Sequence, residues 1–274
     1  MTALKVGRRT FLRRYGERTK ALLEMAGNFP DRPTPEQIHD LRVMIRRIQV
    51  IKRLLPRHVR VSLGFQKFGL VLKGTLKATS QLRDLDTLME TFELHKGEIP
   101  DQILVTLSNR RSDAAARATA AAELITETPP PDFEPGTVRG KGTSRRLRKR
   151  IKKRSLVVTS LLGQVLIDET RVTELHTLRK EVKKLRYLLE LVDDVPAELD
   201  VLARWQNSLG TIRDLDVAID HLRSSRVDFG KGIVRDLDRS RHSKYAKFVV
   251  EYKTDSLESL GDSRVLVGPQ ALHQ

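Results

Sequence analysis

An internal repeat is the feature that most constrains the fold of this chain. The segment "IHDLRVMIRRIQVIKRLL" at 38–55 aligns without gaps with "LHTLRKEVKKLRYLLELV" at 175–192. His39 then corresponds to His176, and the apolar residues of both segments fall at matching positions. A repeated pattern of this length predicts that the chain contains two copies of one supersecondary unit.

A second pair of matching segments supports the repeat. "SQLRDLDTLME" at 80–90 aligns with "GTIRDLDVAID" at 210–220, in the same order and at a similar spacing from the first motif. Between the halves lies "TETPPPDFEPGTVRGKGTS" at 126–144, whose prolines and glycines are typical of a linker. We therefore expect one domain over 3–260. Its first helical bundle is expected at 1–125, the linker at 126–143 and the second helical bundle at 144–260, with a tail at 261–274.

Each half is predicted to be a bundle of antiparallel helices. Aromatic residues make up only 5% of the chain, Leu, Ala, Arg and Lys are abundant, and few apolar residues alternate as strands require. Thr34 and Pro35 are typical of the N-cap and first position of a helix. The predicted helices lie at 3–27, 35–55, 59–80, 82–95, 100–125, 144–167, 171–193, 196–210, 212–225 and 230–260.

Each repeated helix has an apolar face and a basic stripe beside it. Residues at i, i+3 and i+7 share a face, and the stripe lies one residue further on, about 100° round the axis. The apolar faces comprise Ile38, Leu41, Ile45, Ile48 and Leu55 in the first copy and Leu175, Leu178, Val182 and Leu185 in the second. The stripes comprise His39, Arg42, Arg46 and Arg53, and His176, Arg179, Lys183 and Arg186, with Arg47, Lys180 and Lys184 further round.

The charge of the chain predicts an anionic partner. The net charge is +16, and residues 136–190 alone contain 16 Lys or Arg against five Asp or Glu. Nucleic acid, an anionic membrane face and a phosphate polymer are the candidate partners. Arginine binds phosphate through two parallel hydrogen bonds, and lysine adds point charges. If the two bundles pack about a pseudo-twofold axis, the stripes converge on a basic groove or channel.

The aspartates of the two "RDLD" motifs are predicted to support the stripes. They fall where we expect helices to begin, which suits the helix dipole, and they are expected to hold stripe cations in fixed rotamers. These supporting acids are Asp84, Asp86, Asp214 and Asp216. Paired aspartates also suit Mg²⁺, but each motif has only two, so we predict no metal site.

Other residue types narrow the function further. His39 and His176 each lack a partner histidine at helical spacing, and the chain has no cysteine, so neither a zinc site nor a disulfide is predicted. No apolar stretch is long enough to cross a membrane and the N-terminus lacks an apolar signal core, so we expect a soluble cytoplasmic protein without a membrane span. No cofactor is expected.

These motifs resemble those of the CHAD domain, the conserved histidine α-helical domain. The similarity rests on "HDLRVMIRR", "HTLRKEVKKLRYLLE" and the two "RDLD" motifs, with "SRRLRKRIKKR" at 144–154, and it covers about 3–260. It implies an all-α fold of two similar helical bundles related by pseudo-twofold symmetry around a basic central channel. It also implies a stand-alone module that binds inorganic polyphosphate and associates with polyphosphate granules.

The resemblance implies a set of polyphosphate contacts by position. Gln49 stands where the family usually has another arginine, which weakens the first stripe. The matching positions are His39, Arg42, Arg46, Arg47, His176, Arg179, Lys183, Lys184 and Arg186. We extend the predicted contacts to Arg53, Lys73, Lys77, Arg145, Arg148, Lys152 and Lys180.

Two other functions stay open at this point. General polyanion or nucleic-acid binding fits the charge, but Tyr187 is the one aromatic residue within the stripes, Trp205 has the character of a core residue, and no helix-turn-helix pattern occurs. A polyphosphate-processing enzyme would need a phosphate-binding loop or a carboxylate cluster, and neither pattern is present. We therefore expect a binding protein rather than an enzyme.

Overall fold

The computed structural model describes residues 6–93, 99, 101–192, 195–224 and 231–258, and regular structure within those ranges is helical throughout. The predicted all-α fold is therefore confirmed. The α-helices are α1 Arg8–Gly27, α2 Pro35–Leu54, α3 Arg57–Arg60, α4 Leu63–Glu93, α5 Asp101–Glu127, α6 Gly140–Val165, α7 Val172–Leu189, α8 Pro196–Ser224 and α9 Lys231–Glu258. A 3-10 helix spans Pro135–Thr137. Within the described ranges, no helix combines the length and apolar character needed to cross a membrane.

The start of α2 is fixed by the residues that the sequence indicates. The Thr34 hydroxyl accepts a hydrogen bond from the Gln37 backbone N–H at 3.3 Å, and the Gln37 side chain accepts one from the Thr34 N–H at 2.8 Å. This reciprocal capping box satisfies two backbone donors that the first turn leaves without partners. Pro35 occupies the first helical position, as predicted.

The chain divides into two compact units. The N-terminal unit comprises the described residues of 6–93 and 99–146, and the C-terminal unit comprises those of 147–258. The division falls within α6, so the segment predicted as the linker, 126–143, belongs to the N-terminal unit. The pseudo-twofold axis and the basic channel stay predictions from the sequence.

Antiparallel helices build the N-terminal unit. Between α4 and α5, Thr75 donates to the Ala121 carbonyl at 2.9 Å and Asp86 accepts from Arg111 at 2.7 Å. The partner's residue number falls as the number along α4 rises, so the two helices are antiparallel. Helix α2 packs on α1 and α4, and α1 also packs on α5. The predicted apolar face of α2 is buried in this core; its fully covered members include Ile38, Leu41 and Ile45. Burial of each such side chain contributes roughly 1.5–3 kcal/mol.

The C-terminal unit repeats this arrangement. Along α8 and α9, the Trp205 indole donates to Asp255 at 2.8 Å and Arg223 donates to Asp238 at 2.7 Å, so these helices are also antiparallel. Trp205 is buried, as predicted for a core residue. The predicted apolar face of α7 is buried too, and its members are Leu175, Leu178, Val182 and Leu185.

Two predicted helix breaks are wrong. Helix α4 runs unbroken over Leu63–Glu93 and α8 over Pro196–Ser224, where breaks were predicted near residues 81 and 211. The four "RDLD" aspartates therefore lie within long helices and not at helix starts. An acid near a helix start suits the helix dipole, but Leu82 and Leu85 continue the buried face of α4 through the motif and hold that helix together.

Helix α6 begins earlier than predicted, at Gly140 rather than at 144. Ser144 explains how the start of this helix is held. The Ser144 hydroxyl accepts from the Val6 N–H at 3.3 Å and donates to the Val6 carbonyl at 3.1 Å, so the start of α6 is tied to the start of the described chain.

Candidate functional site

The basic stripe of α2 is only partly exposed. His39 and Arg53 are exposed and Arg46 and Arg47 are half-buried, but Arg42 is buried. Arg46 makes no ion pair or hydrogen bond to another residue within the described ranges, and it lies close enough to Arg42 for the two guanidinium groups to repel each other. The stripe therefore offers cations to solvent at Arg46, Arg47 and Arg53 but not at Arg42.

Arg42 holds α2 against α4. Its Nη1 donates to the Leu76 carbonyl at 2.9 Å and to the Thr79 hydroxyl at 2.7 Å. Burial lowers the pKa of Arg42 to about 10, and repulsion from Arg46 adds to this, while Asp84 opposes it. The guanidinium stays charged at neutral pH. Its bonds give Arg42 a role in packing, and a contact with a ligand stays a prediction.

The stripe of α7 is anchored by a buried acid that the sequence analysis did not select. Glu181 is 6% exposed and accepts hydrogen bonds from Arg154 of α6 at 2.5 Å and from Lys184 at 2.6 Å. Arg154 and Lys184 lower the pKa of Glu181 against the opposing effect of burial, so this carboxylate is ionised. The signal was available, because Glu181 is an isolated acid three residues before a predicted contact residue.

Other α7 cations lie around this anchor. Arg186 donates to Gln206 at 3.1 Å and pairs with Glu190 at 3.7 Å. Lys180 is exposed and Lys183 is half-buried. Arg179 is half-buried, and its guanidinium lies against α8 at Gly210. The predicted stripe of the C-terminal unit is thus brought together on one helix face.

His176 sits in a positive environment. Burial lowers the pKa of His176 to about 4, and repulsion from Arg213, Lys180 and Arg179 adds to this effect. Its Nδ1 is buried and has no hydrogen-bond partner within the described ranges. The ring is therefore neutral at neutral pH, and one of its two nitrogens carries an N–H that can donate a hydrogen bond.

The arginine of each "RDLD" motif lies near the stripe of its own unit. Repulsion from Arg213 helps to lower the pKa of His176. The pKa of Arg42 is lowered mainly by burial and by Arg46, and Arg83 is close enough to add a smaller effect. Both motifs are evident in the sequence, but only their acids were predicted to belong to the site. The matching positions of these arginines in the two halves were the signal that could have found them.

Two supporting acids hold different partners from those predicted. Asp86 accepts from Arg111 Nε at 2.7 Å, and Asp216 accepts from Arg241 Nε at 2.7 Å, so both acids bind the following helix and not the stripe. The other predicted supporting acids differ. Asp84 is exposed, and its charge favours the protonated form of Arg42 by raising the pKa of that group. Asp214 is half-buried.

Each of these arginines makes a second matching contact. Arg111 donates to the Pro33 carbonyl at 2.7 Å, just before α2, and Arg241 donates to the Glu169 carbonyl at 2.9 Å, just before α7. The contact thus fixes the segment that leads into each stripe helix. Its presence in both units supports the interpretation of the chain as a duplication.

The remaining predicted contacts lie on two other helices. Arg145, Arg148 and Lys152 are exposed on α6, as are Lys73 and Lys77 on α4. Arg146, which was not predicted, donates to the Leu54 carbonyl at 2.6 Å and so holds the start of α6 against the end of α2.

A cationic pocket of about 700 Å³ lies in the N-terminal unit, between the end of α2, α3 and the first turns of α4. Arg53 and Lys73 are the predicted contact residues in its lining, and its other cations were not predicted. The pocket is lined by Gln49, Lys52, Arg53, Arg57, Arg60, Val61, Gly69, Lys73 and Leu76. The signal for the missed residues was the basic run "KRLLPRHVR" at 52–60, which the helix pattern alone did not connect to Lys73.

The described residues contain no group of three or more histidines, cysteines, aspartates or glutamates placed to hold a metal ion. The side chains that the predicted stripes bring to the surface are mainly those of arginine and lysine. Arginine and lysine side chains at these positions can form charge-assisted hydrogen bonds to the oxygens of an anion.

Comparison with known proteins assigns the family. The sequence profile of the CHAD domain matches residues 17–223. The crystal structure of the CHAD domain from the plant Ricinus communis is similar, with a TM-score of 0.55 and 17% sequence identity over 97% of this chain and 95% of that one. No curated protein sequence matches the chain. With the helical fold and the repeated basic helices in place, the profile match shows that the chain belongs to the CHAD domain family.

Proposed function

We propose that the protein binds inorganic polyphosphate through the basic stripes of α2 and α7. The observation that carries this proposal is the positive electrostatic environment of His176. The three charged groups that act on this ring are all cations, Arg213, Lys180 and Arg179. A linear chain of phosphates would lie along such a stripe and reduce the repulsion among its cations.

In this proposal the protein is a cytoplasmic binding module that associates with polyphosphate granules and does not process the polymer. The cations of the two stripes and the exposed cations of α6 are the groups that would contact the polymer. Membership of the CHAD family and the net charge of +16 support this assignment. Release of phosphate from polyphosphate in the presence of Mg²⁺ would contradict the assignment as a binding module.

The surroundings of the stripe favour polyphosphate over nucleic acid. Proteins that bind single-stranded nucleic acid without sequence preference stack bases on exposed aromatic rings. Tyr187, the aromatic residue within the α7 stripe, is only 4% exposed, so its ring is unavailable for stacking. The stripe thus offers charge without a base platform.

The test is a titration of long-chain polyphosphate into the full chain, with duplex DNA as competitor. The binding variant is Lys180→Gln/Lys183→Gln/Lys184→Gln on α7. The matched control is Lys244→Gln/Lys247→Gln/Lys253→Gln, which removes the same charge from exposed positions on α9 in the same unit.

We expect the α7 variant to weaken binding at least about tenfold, since each charge-assisted contact is worth roughly 1.5–3 kcal/mol when well formed. The α9 control should bind as the wild type does. Equal losses in the two variants, or displacement of polyphosphate by DNA at equal charge, would show that the chain is a general cationic surface.

A further inference from the structure

We propose that the cationic pocket of the N-terminal unit is a second site, which binds a compact inorganic oligophosphate such as tripolyphosphate. The pocket lies at the opposite end of α2 from His39, about 20 Å along the helix axis. This inference rests on the proposed function only in the chemistry of the ligand.

The lining of the pocket has a strong excess of positive charge. Its charged members are two lysines and three arginines, and it contains no carboxylate. Cations brought together in this way repel one another, and a bound anion removes that repulsion. A single phosphate group carries about −1.5 to −2 at neutral pH, which offsets fewer than half of these charges. Several linked phosphates match the pocket better than one.

The position of Lys52 is built into the fold. Its ammonium donates a hydrogen bond to the Phe65 carbonyl in the first turn of α4. It occupies the space beside Gly69, where the Cβ of any other residue would overlap Lys52 Nζ. Helix α4 therefore has a glycine in its interior where a lysine of α2 needs room.

Arg60 adds a second oriented group. Its Nε is buried without a hydrogen-bond partner within the described ranges. Burial, followed by repulsion from Arg60, lowers the pKa of Lys52, so these two cations are close enough to interact. A buried guanidinium N–H that lacks an acceptor is costly, so the protein leaves part of the hydrogen-bonding capacity of this pocket cation unfilled.

The cations of the pocket are not repeated at the matching positions of the second half of the chain. In the alignment of the two repeated helices, Lys52 corresponds to Leu189 and Arg53 to Glu190. The second half thus has an apolar and an acidic residue where the first half has two cations. The site therefore belongs to the N-terminal unit by its own residues and not by the duplication.

The lining also indicates the class of phosphate ligand. Its apolar members are Val61 and Leu76, and no aromatic residue is among the lining residues. A nucleotide base would find no stacking partner there, so we assign an inorganic oligophosphate. The volume of about 700 Å³ is in the range of small-molecule sites.

The test is calorimetric titration of sodium tripolyphosphate into the full chain and into two charge-removing variants, Lys52→Met and Arg57→Gln. We expect each variant to weaken tripolyphosphate binding by about tenfold or more. The matched control is Lys67→Gln, because Lys67 is an exposed lysine of α4 that does not line the pocket. The control should bind as the wild type does.

A pair of glycine variants tests the geometry without any change of charge. Gly69→Ala should displace Lys52 Nζ and weaken tripolyphosphate binding several-fold, about as an imperfect charged contact would. Gly74→Ala lies in the same helix with no atom within 4 Å of the new Cβ, and it should leave binding unchanged. Equal binding by both glycine variants, together with unchanged binding by Lys52→Met and Arg57→Gln, overturns the proposal.

The outcomes separate this site from the proposed function. The Lys180→Gln/Lys183→Gln/Lys184→Gln variant should keep tripolyphosphate binding while it loses affinity for the long polymer. In that variant, long polyphosphate is added to compete with bound tripolyphosphate. If the competition follows the concentration of polymer chain ends, the ligand of the pocket is the end of the polymer. Displacement only by free short chains identifies a separate oligophosphate.

Discussion

Arg111 donates from Nε to the Asp86 carboxylate at 2.7 Å and so joins α5 to α4 through an aspartate side chain that is 1% exposed. Burial raises the pKa of Asp86, and the hydrogen bond and charge of Arg111 oppose that rise. The pair is therefore a case in which removal of one partner leaves a buried group without its compensation.

We predict that Arg111→Leu lowers the free energy of unfolding by about 3–5 kcal/mol, because a buried aspartate loses its partner. The double variant Asp86→Leu/Arg111→Leu should recover a large part of this loss. Urea denaturation followed by circular dichroism measures both. Arg13→Leu is the control, because Arg13 and Glu17 form an exposed pair and such pairs contribute about 1 kcal/mol or less. Equal effects of Arg111→Leu and Arg13→Leu would contradict the prediction.

Arg42 and Arg46 should separate packing from binding. Arg42→Met removes the buried hydrogen bonds to α4 and is expected to destabilise the protein by about 1–3 kcal/mol. Arg46→Gln should change stability by less than about 0.5 kcal/mol, since Arg46 is half-buried and makes no hydrogen bond or ion pair within the described ranges. Arg46→Gln should instead weaken polyphosphate binding. Thermal unfolding and polyphosphate titration of the two variants test this division, which fails if their effects are exchanged.

His176 should report on anion binding through its titration. In the free protein its pKa is about 4, lowered by burial and then by Arg213, Lys180 and Arg179. A histidine with a lowered pKa favours the folded state above the ordinary pKa of about 6.5, and this contribution is lost as the pH falls through 6.5 toward 4. Polyphosphate over the stripe should raise the pKa of His176, because the anion offsets the repulsion of the cations.

Two-dimensional NMR of the histidine ring carbons, with and without polyphosphate, measures this shift. His176→Gln identifies the resonance. It should also reduce the loss of thermal stability that the wild type shows between pH 6.5 and pH 4. A titration midpoint near 6.5 in the free protein, or no shift on addition of polyphosphate, would contradict the role of the α7 stripe.

Salt should weaken polyphosphate binding steeply. The slope of log affinity against log salt concentration scales with the number of phosphate charges that the protein neutralises. Removal of each phosphate contact reduces that slope by about one unit, so Lys180→Gln/Lys183→Gln/Lys184→Gln should reduce it by about two to three units. Titrations at four salt concentrations measure the slope. The α9 triple-lysine variant should have the wild-type slope, and a parallel decrease there would point to a diffuse charge effect.

The apolar faces of the repeated helices could be predicted from the sequence because burial follows helical periodicity. Ile38, Ile45, Leu175 and Val182 are all buried, and Thr34 caps α2 as its residue type indicates. The predicted breaks in α4 and α8 were wrong because tertiary packing continues the buried face of each helix through its "RDLD" motif. Asp86 and Asp216 are held by arginines 25 residues further on, and a local pattern contains no information on such a partner.

The site could be predicted only in part, for a similar reason. A stripe drawn on one helix places Arg42 and Arg46 together, yet α4 covers the first and leaves the second half-exposed. The cationic pocket needs three helices to converge, so Lys52 and Arg60 were missed although the run that contains them also holds the predicted Arg53. Periodicity gives the direction of a side chain around its own helix, whereas its exposure depends on the neighbouring helices.

The shared carboxylate of Glu181 has a consequence for the thermodynamics of recognition. Arg154 and Lys184 are long side chains that would otherwise sample many rotamers, and each would lose roughly 1.5–2 kcal/mol of conformational freedom when fixed by a ligand. Their hydrogen bonds to Glu181 restrict them during folding instead. In the proposed binding mode, an anion would therefore meet donors whose spacing is already set, and its association would lose less entropy than on a freely moving basic surface.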